Sequence, residues 1–130
     1  MIGENFQSWG EIDNARDDIV NIGNNVVLGR GSLIVTHCPI SFYDHNPVGI
    51  EIGDNVYIGA RCIILPGARI GADTVIGAGS VVAGPIPDGV TAAGNPCRVI
   101  RHLTDDEITR VRMLSEQHRV GNGQEPKQGG

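Results

Sequence analysis

The chain has 130 residues, a formal net charge of −5, 19 glycines and only two Phe, two Tyr and one Trp. That length holds one domain. The acidic balance excludes a nucleic-acid footprint. No apolar run reaches the length of a membrane-spanning helix, and MIGENFQSWG lacks the basic start and apolar core of a secretion signal, so a cytoplasmic protein without membrane insertion is expected. Three cysteines cannot all pair within one chain and none stands at zinc-type spacing, so no metal is expected.

The chain opens with the unit IGENFQ at Ile2, then shifts by two residues around Asp17 and Asp18, which reads as a distorted first coil with a turn at the aspartates. From Ile22 a six-residue beat sets in: Ile22, Leu28 and Ile34 head IGNNVV, LGRGSL and IVTHCP, and Ile40 falls on the beat. Asn46 breaks it. The stretch CPISFYDHNPVG is an irregular coil or a loop leaving the fold; Pro39, Pro47 and the run from Asp44 to Asn46 favour the loop.

The beat resumes at Ile52, Ile58, Ile64, Ile70, Ile76 and Val82, with a small or β-branched residue four places on: Val56, Cys62, Ala68, Thr74 and Ser80. Helices repeat near 3.6 and simple strands near 2, so neither explains a period of six. Short strands separated by tight bends do. Three units close a triangular coil and the next coil stacks on it about 4.8 Å away. Residues eighteen apart then lie above one another, placing Ile52 under Ile70, Ile58 under Ile76 and Ile64 under Val82. The predicted fold is all-β, a parallel β-helix. Cys38 and Cys62 fall on the small inward position and read as core filling. Alternation points His37 and Cys38 to opposite sides, against a Cys/His nucleophile pair.

After Val82 the Pro- and Gly-bearing stretch AGPIPDGVTAAGNPCRVIRHL wraps the end of the prism, giving a β-helix domain over 1–103. Thr104 and Glu107 form a capping-box signature, followed by Ile108, Val111 and Leu114 at near-helical spacing, so a helix is predicted over 104–119. Its apolar stripe covers the open end of the prism or meets a neighbouring subunit. Residues 120–130 read as a disordered tail.

The run IGDNVYIGARCIILPGARIGADTVIGAGSVV followed by IPDGVTAAGNPCRVIR resembles the hexapeptide-repeat acyltransferases of the maltose, galactoside and polysaccharide O-acetyltransferase branch, over roughly Ile2 to His102. The resemblance implies a left-handed β-helix. Parallel crossovers are otherwise almost always right-handed, so the hand rests on the resemblance alone. It also implies a homotrimer with active sites at subunit interfaces, where acetyl-CoA lies along a groove and a histidine takes a proton from an acceptor hydroxyl.

On that resemblance the catalytic histidine is His37, in I-x-T-H just before the looped segment. An imidazole with an unperturbed pKa near 6.5 suits the task of accepting a proton from an alcohol that attacks a thioester. His45 is the runner-up base or an acceptor contact, whereas His102 and His118 read as surface groups. The family's CoA contacts fall on Ala60, Ala78, Arg98 and Arg101. The alanines stand eighteen apart, at equivalent outward positions, and small side chains there let a pantetheine arm lie close to the backbone. The arginines can pair with phosphate. Asp17 resembles an acidic acceptor-binding position, and Trp9 either stacks on a sugar ring or packs as part of a cap. Where many relatives carry Thr-Lys after the repeat, this chain has Ala83 and Gly84.

The expected activity is acetyl-CoA-dependent O-acetylation of a sugar or sugar-containing metabolite. Two other readings stand beside it. One is a non-catalytic trimeric scaffold, which the departure at Ala83 and Gly84 raises. The other is a zinc hydratase of the γ-carbonic-anhydrase type, which needs three converging histidines where only His37 and His45 lie near the coils.

Overall fold

The computed structural model describes residues 1–13, 19–36 and 49–120, with side chains through 116. Among these residues fourteen short strands, numbered in chain order, form three sheets. The first holds β1 (Phe6–Ser8), β4 (Val26–Leu28), β7 (Val56–Ile58), β10 (Thr74–Ile76), β13 (Val90–Gly94) and β14 (Cys97–His102) in that spatial order. The second holds β2 (Glu11–Ile12), β5 (Leu33–Ile34), β8 (Ile63–Ile64) and β11 (Val81–Val82). The third holds β3 (Val20–Ile22), β6 (Ile50–Ile52), β9 (Arg69–Ile70) and β12 (Pro85–Ile86). Every pairing except β13 with β14 is parallel, because consecutive strands go to different sheets and each strand meets its counterpart one coil later.

The aliphatic ladders form as the spacing predicts: Ile52 pairs with Ile70, Ile58 with Ile76 and Ile64 with Val82. These side chains are at most 4% exposed, as are Val56, Cys62, Ala68, Thr74 and Ser80 at the small inward positions. Burying each Ile or Val contributes roughly 1.5–3 kcal/mol. Upstream the partners are thirty apart, as in Ile22 with Ile52 and Ile34 with Ile64. Since β5 pairs directly with β8, no coil intervenes between them. Residues 37–48, including Ile40 and Cys38, lie outside the described residues. Beyond Val82 the offset falls to sixteen, as in Ile70 with Ile86, because Ala83-Gly84 makes a corner that takes Leu65 to Ala68 one coil earlier.

One corner carries a polar ladder. Asn5, Asn25, Asn55 and Asp73 all take left-handed backbone angles, with φ between 57° and 59°. Asn tolerates that region better than most L residues. Asn5 Nδ2 donates to Asn25 Oδ1 (3.0 Å), Asn25 Nδ2 to Asn55 Oδ1 (3.3 Å) and Asn55 Nδ2 to Asp73 Oδ1 (3.3 Å).

The C-terminal helix α1 (Asp105–Val120) begins with the expected capping box: Thr104 N donates to Glu107 Oε1 (2.9 Å) and Glu107 N to Thr104 Oγ1 (3.2 Å). It does not cover the open end of the prism. It lies along the side, against β7 and β10 on the outer face of the six-stranded sheet. The end is already protected by β14, which pairs antiparallel with β13. The polar ladder fixes the helix where it lies: Arg112 Nε and Nη2 donate to the two Asp73 oxygens at 2.9 Å, and Asn5 Nδ2 reaches Ser115 O at 3.2 Å. Val111 is buried there, whereas Leu114 stays 49% exposed.

Candidate functional site

A second corner, where the six-stranded sheet turns into the four-stranded sheet of β5 and β8, lines up Arg30, Ala60 and Ala78 on successive coils. Arg61 N donates to Arg30 O and Gly79 N to Ala60 O, both at 2.9 Å. The residues that follow, Gly31, Arg61 and Gly79, take φ of 75°, 57° and 76° and turn the chain. Just before, Gly59 lies so close to the next coil that a Cβ there would stand 2.8 Å from Ala78 N. Ala60 and Ala78 are both exposed, so the sequence-predicted pair is brought together on the surface of one corner. Trp9 stands at this corner on the first coil, its carbonyl accepting from Gly31 N at 3.2 Å, and is partly buried.

The β13–β14 hairpin closes this corner one coil beyond Ala78. Its turn contains a cis Asn95–Pro96 bond, and Gly94 N donates to Ser80 Oγ at 3.0 Å. Arg98 lies opposite Ala93 and Arg101 opposite Thr91, with a register shift between them. Both arginines are exposed. Arg98 has no ion pair among the described residues, whereas Arg101 is held by Glu107 through Nη1–Oε1 (2.8 Å) and Nη2–Oε2 (2.5 Å). The same hydrogen bonds hold the Glu107 carboxyl down at about 2 and raise the Arg101 guanidinium. Arg101 therefore offers phosphate only its remaining N–H groups.

Beneath the corner, Ser32, Cys62 and Ser80 fill the interior. Ser32 Oγ accepts from Cys62 N (3.0 Å), and Cys62 Sγ and Ser80 Oγ both donate to Gly77 O (3.2 and 2.6 Å). Burial pushes the Cys62 thiol up, as it does the half-buried Cys97. A raised, buried thiol is a core filler and a poor nucleophile.

His37, His45 and Asp17 lie outside the described residues. The chain leading to His37 ends at Thr36, at the far end of the sheet containing β5. There Thr36 N donates to Asp13 Oδ2 (3.2 Å) and Thr36 Oγ1 to Asp13 O (3.3 Å). Thr36 and the Ala60–Ala78 corner are thus at opposite edges of one sheet face. Among the described residues no three His, Cys, Asp or Glu side chains converge as a metal site. A groove of about 820 Å³ runs over the outer face of the third sheet, lined by Glu51, Arg69, Asp54 and Asp88 among others. It is not on the Ala60–Ala78 corner. Its carboxylates Asp54 and Asp88 are engaged in capping the amides of Asn24 (2.7 Å) and Ala72 (2.8 Å).

Sequence reading missed Arg30 and Asp13. Arg30 stands thirty residues before Ala60 rather than eighteen, because residues 37–48 come between their coils. Its place is visible only once β4 is known to pair with β7. Asp13 belongs to the first coil, whose irregular spacing hid its register with Thr36.

A family model described as bacterial transferase hexapeptide (six repeats) matches residues 49–84. The galactoside O-acetyltransferase of Escherichia coli (strain K12) is 42% identical over 110 residues, covering 80% of this chain and 54% of that protein. A galactoside acetyltransferase solved in complex with coenzyme A superposes with a TM-score of 0.64 at 35% identity, covering 79% of this chain and 57% of that one. A maltose O-acetyltransferase from Clostridium difficile 630 gives 0.58 at 36% identity, covering 80% and 59%. The chain spans about half the length of the curated relatives it matches. The shared fold is a left-handed parallel β-helix of hexapeptide repeats, which in this chain is followed by a C-terminal helix.

Proposed function

The chain belongs to the hexapeptide-repeat transferase family, and from that premise we propose that it transfers an acetyl group from acetyl-CoA to a hydroxyl of a saccharide. The observation that carries the proposal is the exposed column of Ala60 and Ala78 leading to Arg98 at the hairpin. A pantetheine arm can lie against these two small, exposed side chains, while Arg98, and Arg101 through its free N–H groups, pair with nucleotide phosphate.

In the proposed reaction His37 accepts the proton of the acceptor hydroxyl as its oxygen attacks the thioester carbonyl. The C–O bond forms, the C–S bond breaks as the tetrahedral adduct collapses, and His37 returns the proton to the departing CoA sulfur. Transfer is direct, within one ternary complex. His45, Asp17 and Trp9 are assigned to the acceptor side. We place the reaction in the cytoplasm, the compartment that supplies acetyl-CoA.

The active unit is proposed to be a homotrimer with shared sites. One outer face packs against α1, and a second carries the polar residues Asn21, Glu51 and Arg69, followed on the next coil by Pro85. The third, on the sheet of β5, β8 and β11, presents Leu33, Ile63 and Val81 with Val35, Leu65 and Ala83 beside them. This aliphatic run on β5, β8 and β11, bordered by Glu11 of β2 opposite Leu33, fits a subunit interface. Its two edges carry the Ala60–Ala78 corner and Thr36. One sheet width of roughly 15–20 Å separates these edges, so a base from one subunit and a donor from the next would meet where two prisms pack.

The test is calorimetric titration of acetyl-CoA into the protein and into an Arg98→Ala/Arg101→Ala variant. Binding that weakens in the variant supports the donor site. No binding to either protein would overturn the enzyme reading in favour of the scaffold suggested by Ala83 and Gly84.

A further inference from the structure

Arg30 and Arg61 are two exposed cations on adjacent coils of the donor corner, joined by the hydrogen bond from Arg61 N to Arg30 O. Neither has an ion-pair partner among the described residues. Glu11, on the first coil, lies opposite Leu33 and pairs with neither. Like charges on neighbouring turns of one corner repel, and an anion beside them offsets that repulsion. Arg61 also holds φ of 57°, where the coils on either side have Gly31 and Gly79. An L side chain in that region is strained, and such strain concentrates at binding sites.

The position of the pair along the column says which anion. The hairpin with Arg98 is one coil beyond Ala78, and Arg30 is one coil before Ala60. That is roughly 14 Å from hairpin to Arg30 at the usual strand spacing. With the nucleotide at Arg98, an arm extended past Ala78 and Ala60 brings its thioester toward Arg30 and Trp9, where the acceptor must enter. We propose that Arg30 and Arg61 form an anion-recognising subsite for the acceptor, so that the substrate is an acidic saccharide carrying a carboxylate or phosphate. This rests on the acetyltransferase reading above. The guanidinium fork suits either group, and the arms of the experiment separate them.

The experiment compares methyl glucuronide, glucose phosphate and methyl glucoside as acceptors, by acetyl-transfer kinetics and by calorimetry with CoA present. Both are run on the native chain and on an Arg30→Gln/Arg61→Asn variant, Asn being tolerant of the left-handed angle. The native chain should favour one anionic sugar over the glucoside by about tenfold or more, and the variant should bring the ratio near one with KM for acetyl-CoA unchanged. Equal handling of all three sugars by the native chain overturns the proposal. So does a preference that survives in the variant, or a variant whose loss appears in acetyl-CoA binding. If the native chain binds no acetyl-CoA, the acetyltransferase reading fails, and calorimetry of the sugars alone still decides whether the arginines hold an anion. A thermal melt of the variant matching the native chain shows that the losses are not unfolding.

Discussion

Arg98 and Arg101 share the outer face of β14 although three positions separate them, because Ile100 is an extra residue in the pairing with β13. Arg98 faces Ala93 and Arg101 faces Thr91, two residues on the same side of their strand. An odd spacing without the bulge would put one guanidinium on each face. Arg98→Ala is expected to weaken acetyl-CoA binding about tenfold. Deleting Ile100 should weaken it as much while both arginines remain. Unchanged calorimetric affinity in the deletion would show that their common face is immaterial.

Ala78 and Gly59 meet at the donor corner but should respond differently to added bulk. Ala78→Leu projects into solvent, so it is expected to raise KM for acetyl-CoA with the melting temperature nearly unchanged. Gly59→Ala drives a Cβ to 2.8 Å from Ala78 N, backbone that cannot yield cheaply, and should cost roughly 1–3 kcal/mol of stability. Denaturant unfolding of the two variants separates the effects.

His37→Ala should lower kcat by about 10²–10⁴ while leaving acetyl-CoA affinity intact, as expected of a general base. Turnover equal to the native chain would remove His37 from the reaction, and a parallel His45→Ala variant would show whether the runner-up carries it.

The Glu107 carboxyl is held at about 2 by Arg101 and by the Thr104 amide, below its ordinary 4.5. A depressed acid stabilises the fold above its unfolded value and loses that contribution as the proton returns. The native chain should therefore melt above a Glu107→Gln variant at neutral pH, with the gap closing from about pH 5 down to about pH 2. Asp73, lowered chiefly by its hydrogen bonds from Arg112, adds to the same acid loss for the native chain. A gap that stays constant over this range would mean the ion pair contributes nothing to holding the helix.

Ile63, 38% exposed at the centre of the aliphatic outer face, is the sensitive point of the proposed trimer. Ile63→Glu should yield monomers by light scattering and abolish transfer, since each proposed site draws on two subunits. A fully active monomer would sink the shared-site arrangement.

Much of this was legible because a solenoid repeats its contacts at fixed sequence intervals. Ile52, Ile58 and Ile64 found their partners by adding eighteen, and Thr104 with Glu107 announced the helix start from four residues. Arg30 stayed hidden because an interval of thirty looks like no repeat until the strands on either side are paired. The seat of the helix stayed open in the sequence for a different reason. Its stripe of Ile108, Val111 and Leu114 says that one face is apolar but not which surface it meets, and the deciding partners, Asp73 and Asn5, lie far away in sequence.

The sequence by itself determined the coil, its ladders and the inward positions, since a period of six with aliphatic residues at one phase can bury them only by stacking. Tertiary structure alone decided which polar groups came together. The left-handed corner angles hang Asn5, Asn25, Asn55 and Asp73 in one ladder, the bulge at Ile100 turns Arg98 and Arg101 to one side, and the β4–β7 pairing sets Arg30 beside Arg61. Local spacing governs backbone geometry, but the meeting of side chains at a corner depends on how many residues the chain spends between coils.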